Sequence, residues 1–242
     1  MVIEFETEAE FARLLEALAQ ELVDANIHWK LYNDLTRNHD EFAREYSQSW
    51  TFWSLTFQAH IDATIFRLIR IYDVNRGSLS LRNLLDTISA NLCVFQTENF
   101  RERLKGNPFV DSLAEEVRIP DEDQLREDIQ FVSKESNPVV ENLTILRNNL
   151  FAHRNAKNEV EGYRIASDYP LPLEEIEQLA STGMNILNRY VTLFRASSYS
   201  TKIIGDDDYQ SVLKSIRVHL GHMNKELEEE RAMFEAMSKE RL

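Results

Sequence analysis

Apolar residues recur at alternating steps of three and four residues along most of the chain, which is the spacing of one face of an α-helix. The first such stretch begins behind Thr7, a residue type that caps helices, and predicts a helix to about Leu35. The second stretch, from Trp50 to Tyr72, carries the bulkiest side chains and predicts a helix at the centre of the core. Both stretches predict amphipathic helices.

Later stretches show the same spacing, and three of them follow a residue that favours a helix start: Ser80, Asp121 and Pro138. Two more helices are predicted to close the chain, the first with Gly183 at a position that allows another helix to approach closely. Strand-like alternation is confined to Val160–Ile165. The periodicity therefore predicts an all-α fold of about six to eight helices.

The composition agrees with a helical protein of one domain. Among 242 residues there are only six Gly and five Pro, too few for the turn density of a β-sandwich or β-barrel. The single cysteine, Cys93, excludes a disulfide within the chain, and its apolar surroundings predict a buried, inert thiol. The chain shows neither a secretory signal nor an uncharged segment of about 20 residues, so we expect no membrane association and a cytoplasmic location.

The charge balance narrows the range of ligands. The formal net charge is −14, from 27 basic and 41 acidic residues, and a field of that sign repels a polyanion. A general nucleic-acid coat protein is therefore disfavoured. Basic residues nevertheless outnumber acidic ones around residues 147–164, which leaves room for a small phosphate-binding patch.

The chemistry that the sequence offers is concentrated in residues 146–155, which read Leu-Arg-Asn-Asn-Leu-Phe-Ala-His-Arg-Asn. Arg147 supplies a permanent positive charge and a forked set of donors suited to phosphate. His153 carries the side chain whose proton moves near neutral pH. Together these two residues indicate phosphate chemistry.

The spacing of Arg147 and His153 constrains how they act together. On a straight α-helix they lie about 120° apart, whereas Asn149 and His153 share a face. The two side chains converge only if the helix ends or bends near Ala152, or if a second copy of the chain brings its own motif alongside. The geometry therefore favours a homodimeric site.

The motif resembles the Arg-polar-x4-6-His signature of the HEPN superfamily of helical bundles, many of which are ribonucleases. Arg147, Asn148 and His153 occupy its positions, and Arg154 after the histidine is also typical. Three preceding segments resemble the abortive-infection, AbiU-like HEPN subgroup: Trp50–Leu68, Arg70-Ile-Tyr-Asp73 and Ser78-Leu-Ser-Leu-Arg-Asn-Leu-Leu85. The resemblance covers roughly residues 50–169.

The resemblance implies an HEPN-like helical bundle with additional N- and C-terminal helices. We expect a single helical domain over residues 1–242, with the HEPN-like core at roughly 40–200 and flanking helices at 5–35 and 207–240. The resemblance also implies that the protein is an endoribonuclease of the defence or toxin type, which needs no metal and no other cofactor. In such an enzyme the ribose 2′-hydroxyl attacks the neighbouring phosphate.

The resemblance assigns a role to each residue of the motif. His153 is the expected general acid or base, because its ordinary pKa near 6.5 suits proton transfer at neutral pH. Arg147 is expected to stabilise the charge that builds up on the phosphate oxygens. Asn148, Asn149 and Arg154 are expected to support these two residues or to bind substrate.

Two function classes remain open from the sequence. The first is the ribonuclease, with RNA as substrate, a homodimer as the working form, and an antitoxin or regulatory protein as a further partner. The second is a non-catalytic HEPN module that binds RNA, a nucleotide or a partner protein, which the net charge of −14 also fits. His219 and His222 could share a metal by their spacing, but they have no cysteine and no clear carboxylate companion at ligand spacing, so no metal site is predicted.

Overall fold

The computed structural model describes residues 1–151, 169–200, 202, 205 and 207–239, and within these ranges all regular structure is helical. The all-α prediction is confirmed. The α-helices are α1 Glu8–Arg37, α2 Ala43–Ser47, α3 Trp50–Ile71, α4 Leu81–Ala90, α5 Thr97–Arg103, α6 Val110–Ala114, α7 Glu122–Phe131, α8 Pro138–Leu146, α9 Leu173–Arg195 and α10 Tyr209–Lys239. A 3-10 turn, Leu92–Phe95, joins α4 to α5, and a π-helical turn, Arg147–Phe151, follows α8.

The described ranges thus hold ten α-helices where about six to eight were predicted. The difference arises from α2, α5 and α6, which have five, seven and five residues. Such short helices do not repeat their apolar face, so periodicity cannot reveal them. The weak strand signal at Val160–Ile165 lies outside the described residues.

The helix starts predicted from local sequence are confirmed. Thr7 Oγ1 accepts from the backbone N–H of Glu10 at 3.2 Å, and Glu10 Oε2 accepts in return from the N–H of Thr7 at 3.2 Å, which is a capping box. Hydrogen bonds from the N–H groups of Glu6 and Thr7 lower the pKa of Glu10. Ser80 caps α4, and Asp121 caps α7.

The contacts of the chain group into two compact units, of which the larger comprises residues 1–29 and 61–202. Its core is built largely on α9, which contributes more buried residues than α3, so the expectation that the Trp50–Tyr72 helix forms the core's centre is wrong. Phe11 of α1 is fully buried, with its ring 6.0 Å from that of Phe95 and 5.1 Å from that of Phe194.

Gly183 allows close packing in this unit, as predicted. A Cβ atom at this position would lie 3.0 Å from Leu22 Cδ2, 3.0 Å from the hydroxyl of Tyr72 and 3.3 Å from Leu81 Cδ1. A side chain there would displace the Tyr72 hydroxyl, which donates to the carbonyl of Leu179 at 2.7 Å. The glycine is therefore needed for space.

Cys93 is exposed, so the prediction of a buried thiol is wrong. The apolar pattern of α4 suggested that the helix continues past this residue, but α4 ends at Ala90. In the 3-10 turn that follows, Val94 and Phe95 turn inward and Cys93 turns outward.

The second unit comprises residues 30–60 and 203–242. Its described apolar cluster is formed by Leu35, Phe42, Tyr46, Trp53 and Leu213. At its edge the buried Glu45 accepts from Arg217 Nε at 2.5 Å, and this hydrogen bond is the main cause of the lowered pKa of Glu45. No helix of the described residues is long and apolar enough to cross a membrane.

Candidate functional site

Helix α8 directly precedes the motif and positions its first residue, Arg147. The helix starts at Asn137, whose side chain accepts from the N–H of Val139 at 3.0 Å, and Pro138 occupies the first turn. Val140, Leu143 and Leu146 bury one face of α8. Arg147 therefore follows a helix that is anchored at its cap and along its apolar face.

The helix changes geometry at the first residue of the motif. The α-helical bonding of α8 ends at Leu146, and residues Arg147–Phe151 form a π-helical turn. Single π turns insert an extra residue into a helix and occur often at functional sites. The angles that an ideal α-helix assigns to the motif therefore do not apply after Leu146, and regular helix ends earlier than the expected bend near Ala152.

The guanidinium of Arg147 is held by two residues of the α3–α4 loop. Arg147 Nη1 donates to Asp73 Oδ1 at 2.8 Å, and the two side chains are 26% and 14% exposed. With its amide oxygen facing the guanidinium, Asn75 accepts from Nη1 at 3.0 Å and from Nη2 at 2.5 Å. Charge-assisted bonds of this kind are among the stronger side-chain hydrogen bonds, so they fix the direction of the guanidinium.

The α3–α4 loop, which holds Arg147, is itself held in place by hydrogen bonds. Asp73 Oδ1 also accepts from the backbone N–H of Asn75 at 3.0 Å, which turns the chain after α3. From α4, the buried Asn83 donates its amide to the carbonyls of Asn75 at 3.0 Å and Ser78 at 2.9 Å. The acceptors of Arg147 are therefore preorganised by contacts that do not involve Arg147.

Tyr72 anchors the end of α3 next to Asp73. Its ring is buried, its hydroxyl donates to Leu179 of α9 at 2.7 Å, and burial raises the pKa of the hydroxyl. Because the hydroxyl stays protonated at neutral pH, it remains a donor there. The position of Asp73 is thus tied to the core of the larger unit.

Part of the Arg147 guanidinium makes no hydrogen bond to Asp73 or Asn75. Arginine has five N–H donors, and the contacts to Asp73 and Asn75 use three of them. The other two, on Nε and Nη2, lie along one edge and have no acceptor among the residues that the structure describes. Two parallel donors match two oxygens of a phosphate group.

The other predicted site residues have different settings. Asn148 is exposed, and Asn149 donates to the carbonyl of Ile145 at 2.8 Å, one turn back on its own helix. His153 and Arg154 lie outside the described residues, so their predicted roles stay predictions. Of the predicted set, the structure therefore places Arg147, Asn148 and Asn149 around the π turn.

Sequence reasoning missed the partners of Arg147. An aspartate at a helix end is ordinarily exposed to solvent, but Asp73, which follows the end of α3, is largely buried and paired. Nothing in the local sequence distinguishes Asn75 and Asn83 from the asparagines of ordinary turns and helices. A signal was present, since Asp73 and Asn83 both lie in segments that carry the HEPN resemblance.

No group of three or more His, Cys, Asp or Glu side chains that could hold a metal ion occurs within the described part of the chain. His219 and His222 are both exposed on α10. These two histidines form no such group.

The structure therefore brings Arg147 together with both short segments that resemble the AbiU-like subgroup, one holding the guanidinium and the other holding the loop. The model of the HEPN AbiU2 family matches residues 8–214. The chain belongs to the HEPN AbiU2 family. The match includes α1 and every contact described for Arg147, spans His153, and ends inside α10. Searches of curated proteins and of solved structures find no match.

Proposed function

We propose that this HEPN AbiU2 chain is a metal-independent endoribonuclease of the defence or toxin type. The observation that carries the proposal is the setting of Arg147, whose guanidinium is gripped on one side by Asp73 and Asn75 and keeps one edge of two donors. A cation fixed in advance stabilises developing charge better than one that must be ordered during the reaction. Family membership supports the same assignment.

In the proposed reaction a ribose 2′-hydroxyl attacks the adjacent phosphorus, and the bond from phosphorus to the 5′-oxygen breaks. His153 either takes the proton of the 2′-hydroxyl, with water protonating the departing 5′-oxygen, or gives a proton to the 5′-oxygen, with water taking the proton of the 2′-hydroxyl. Arg147 binds the non-bridging oxygens through Nε and Nη2, where negative charge increases in the transition state. Asn148, Asn149 and Arg154 contribute to binding the substrate or to orienting His153.

We further propose that the working form is a homodimer in which two copies of the Arg147–His153 motif lie close together. Support for the homodimer comes from membership of the HEPN AbiU2 family. A symmetric dimer places the same patch of both copies at one interface, so each motif meets its own counterpart. RNA is the proposed ligand, and an antitoxin or regulatory protein is a proposed further partner.

A second candidate is a non-catalytic module that binds RNA, a nucleotide or a partner protein. Two observations favour it: the net charge of −14, and the pairing of Arg147 with Asp73, which offsets the positive charge of Arg147. In that case the free edge of Arg147 would bind an anionic group without any bond being broken.

Cleavage of RNA in the presence of excess chelator tests the proposal. We expect purified protein to cut single-stranded RNA with EDTA present, to leave 2′,3′-cyclic phosphate ends, and to leave DNA of the same sequence intact, because DNA lacks the 2′-hydroxyl. Products are resolved by gel electrophoresis and mass spectrometry. A strict requirement for a divalent ion rules out the mechanism, and RNA binding without cleavage supports the second candidate.

Replacing Asp73 by asparagine tests whether the grip on Arg147 matters. Asp73→Asn keeps the shape of the side chain but removes the charged acceptor, so we expect the cleavage rate to fall about tenfold or more. The matched control is Asp111→Asn, which alters a 91% exposed aspartate that pairs with Arg101 at 3.6 Å. Equal cleavage rates for the two variants, with both folded by circular dichroism, contradict the role of Asp73.

A further inference from the structure

The second half of α10 packs on nothing within the described chain. Leu213 near the start of the helix is fully buried in the apolar cluster of the smaller unit, but every residue from 221 to 238 is exposed. An isolated helical stretch of this length is marginal in water, because helices in proteins are stabilised mainly by packing of an apolar face. The family match ends at residue 214, so this exposed stretch lies beyond it.

The exposed stretch carries an apolar seam at heptad spacing. We define the α10 seam as residues separated by alternating steps of three and four, with Glu230 as its one charged position: Leu220, Met223, Leu227, Glu230, Phe234 and Met237. Phe234 is 75% exposed, and Leu227 and Met237 are each 52% exposed. Heptad spacing is the signature of a helix that packs against another helix.

We propose that the α10 seam binds the α10 seam of a second copy of this chain, with the two helices antiparallel. A twofold interface requires one surface patch that is complementary to itself. In the antiparallel arrangement Leu220 faces Met237 of the partner subunit, Met223 faces Phe234 of the partner subunit, and Leu227 faces Glu230 of the partner subunit. Every exposed apolar position of the seam then has a facing residue.

Charge selects the orientation. Two parallel helices in register would place Glu230 in the same layer as Glu230 of the partner subunit, with like charges buried together. The antiparallel arrangement puts these carboxylates in separate layers, each beside a leucine. Outside the seam, Asn224 faces Arg231 of the partner subunit, so an amide meets a guanidinium and no like charges meet there.

Burial selects the register. If each helix were shifted by seven residues so that the overlap moved toward the start of α10, Leu213 would have to face the partner helix. Leu213 is fully buried in its own unit, so this register is excluded. A larger shift in the same direction would leave Phe234 and Met237 without a facing residue on the partner helix. The outer face of α10 carries Lys225, Glu228 and Glu229, all exposed, which is the composition of a helix with a single buried seam.

Mass measurements on the full-length protein test the interface without reference to ribonuclease activity. Leu227→Glu combined with Phe234→Glu puts charges into the seam at exposed positions, so the monomer fold is expected to persist. We expect the dissociation constant for self-association to rise at least about 30-fold. The control, Val218→Glu, alters a 61% exposed residue on the outer face and is expected to match the wild type.

Cysteine cross-linking tests the orientation, in a Cys93→Ser background that removes the exposed native thiol. With Met223→Cys and Phe234→Cys in the same chain, we expect a disulfide-linked dimer under mild oxidation, because these positions face each other. Each change alone is expected to give no efficient cross-link. Efficient cross-linking of Met223→Cys alone, or unchanged self-association of the Leu227→Glu, Phe234→Glu variant, would overturn the proposal.

Discussion

Replacing Arg147 by alanine is expected to lower the rate of RNA cleavage by about 10²- to 10³-fold, the usual cost of removing one preorganised charge-stabilising donor. The variant removes both donors of the free edge together with the charge. Because Arg147 lies at the helix surface and is about a quarter exposed, the fold is expected to survive. The rate is measured with a labelled RNA in the presence of chelator, and folding is checked by circular dichroism.

A matched arginine separates this effect from general loss of positive charge. Arg126→Ala removes a 64% exposed arginine that pairs with Asp123 at 2.7 Å, and we expect it to cut RNA at the wild-type rate. His153→Ala is expected to lose about 10²- to 10⁴-fold, because it removes proton transfer. The double variant should lose little more than the worse single variant, since residues that act as a unit are not additive. Wild-type cleavage by both single variants would exclude the motif as the active site.

Phe11→Ala is expected to lower the free energy of unfolding by about 3–5 kcal/mol, the usual cost of removing a fully buried aromatic ring. The ring of Phe11 contacts those of Phe5, Phe95 and Phe194, and these neighbours belong to separate segments that cannot all close on the cavity. Urea denaturation followed by circular dichroism measures the change.

The matched control for this prediction is Phe109→Ala. Phe109 belongs to the same unit and is 68% exposed, so the same chemical change removes little buried surface. We expect its unfolding midpoint to lie close to that of the wild type. Equal losses of stability in the two variants would mean that Phe11 is not the core residue that its burial indicates.

How far the sequence predicts the structure depends on how local the responsible interactions are. Thr7, Ser80 and Asp121 were predicted helix starts, and each is a cap, because a cap bonds to a backbone group three residues away. The burial of Cys93 was predicted wrongly because an α-helix and a 3-10 turn direct the side chains of residues 92–95 to different sides. Only the path of the backbone after Ala90 decides which side chain turns outward.

The partners of Arg147 illustrate the opposite case. Asp73 is separated from Arg147 by 74 positions in the sequence, so no local pattern joins them. An aspartate after a helix ordinarily remains in water, and its burial here depends on Tyr72 reaching α9 and on Asn83 fastening the loop. The π turn could not be predicted from the sequence either. It inserts its extra residue after α8, so the spacing of the apolar side chains along α8 is unchanged.

The sequence by itself determined the all-helical fold, the starts of α1, α4, α7 and α8, and the family, because apolar periodicity, capping side chains and motif letters are properties of short stretches. The tertiary structure alone decided which acceptors hold Arg147, which edge of its guanidinium has no acceptor among the described residues, and that the end of α10 is left without packing within the described chain. Those features depend on segments far apart in the sequence meeting in space, and the free energy that orients a side chain comes from the groups it meets there.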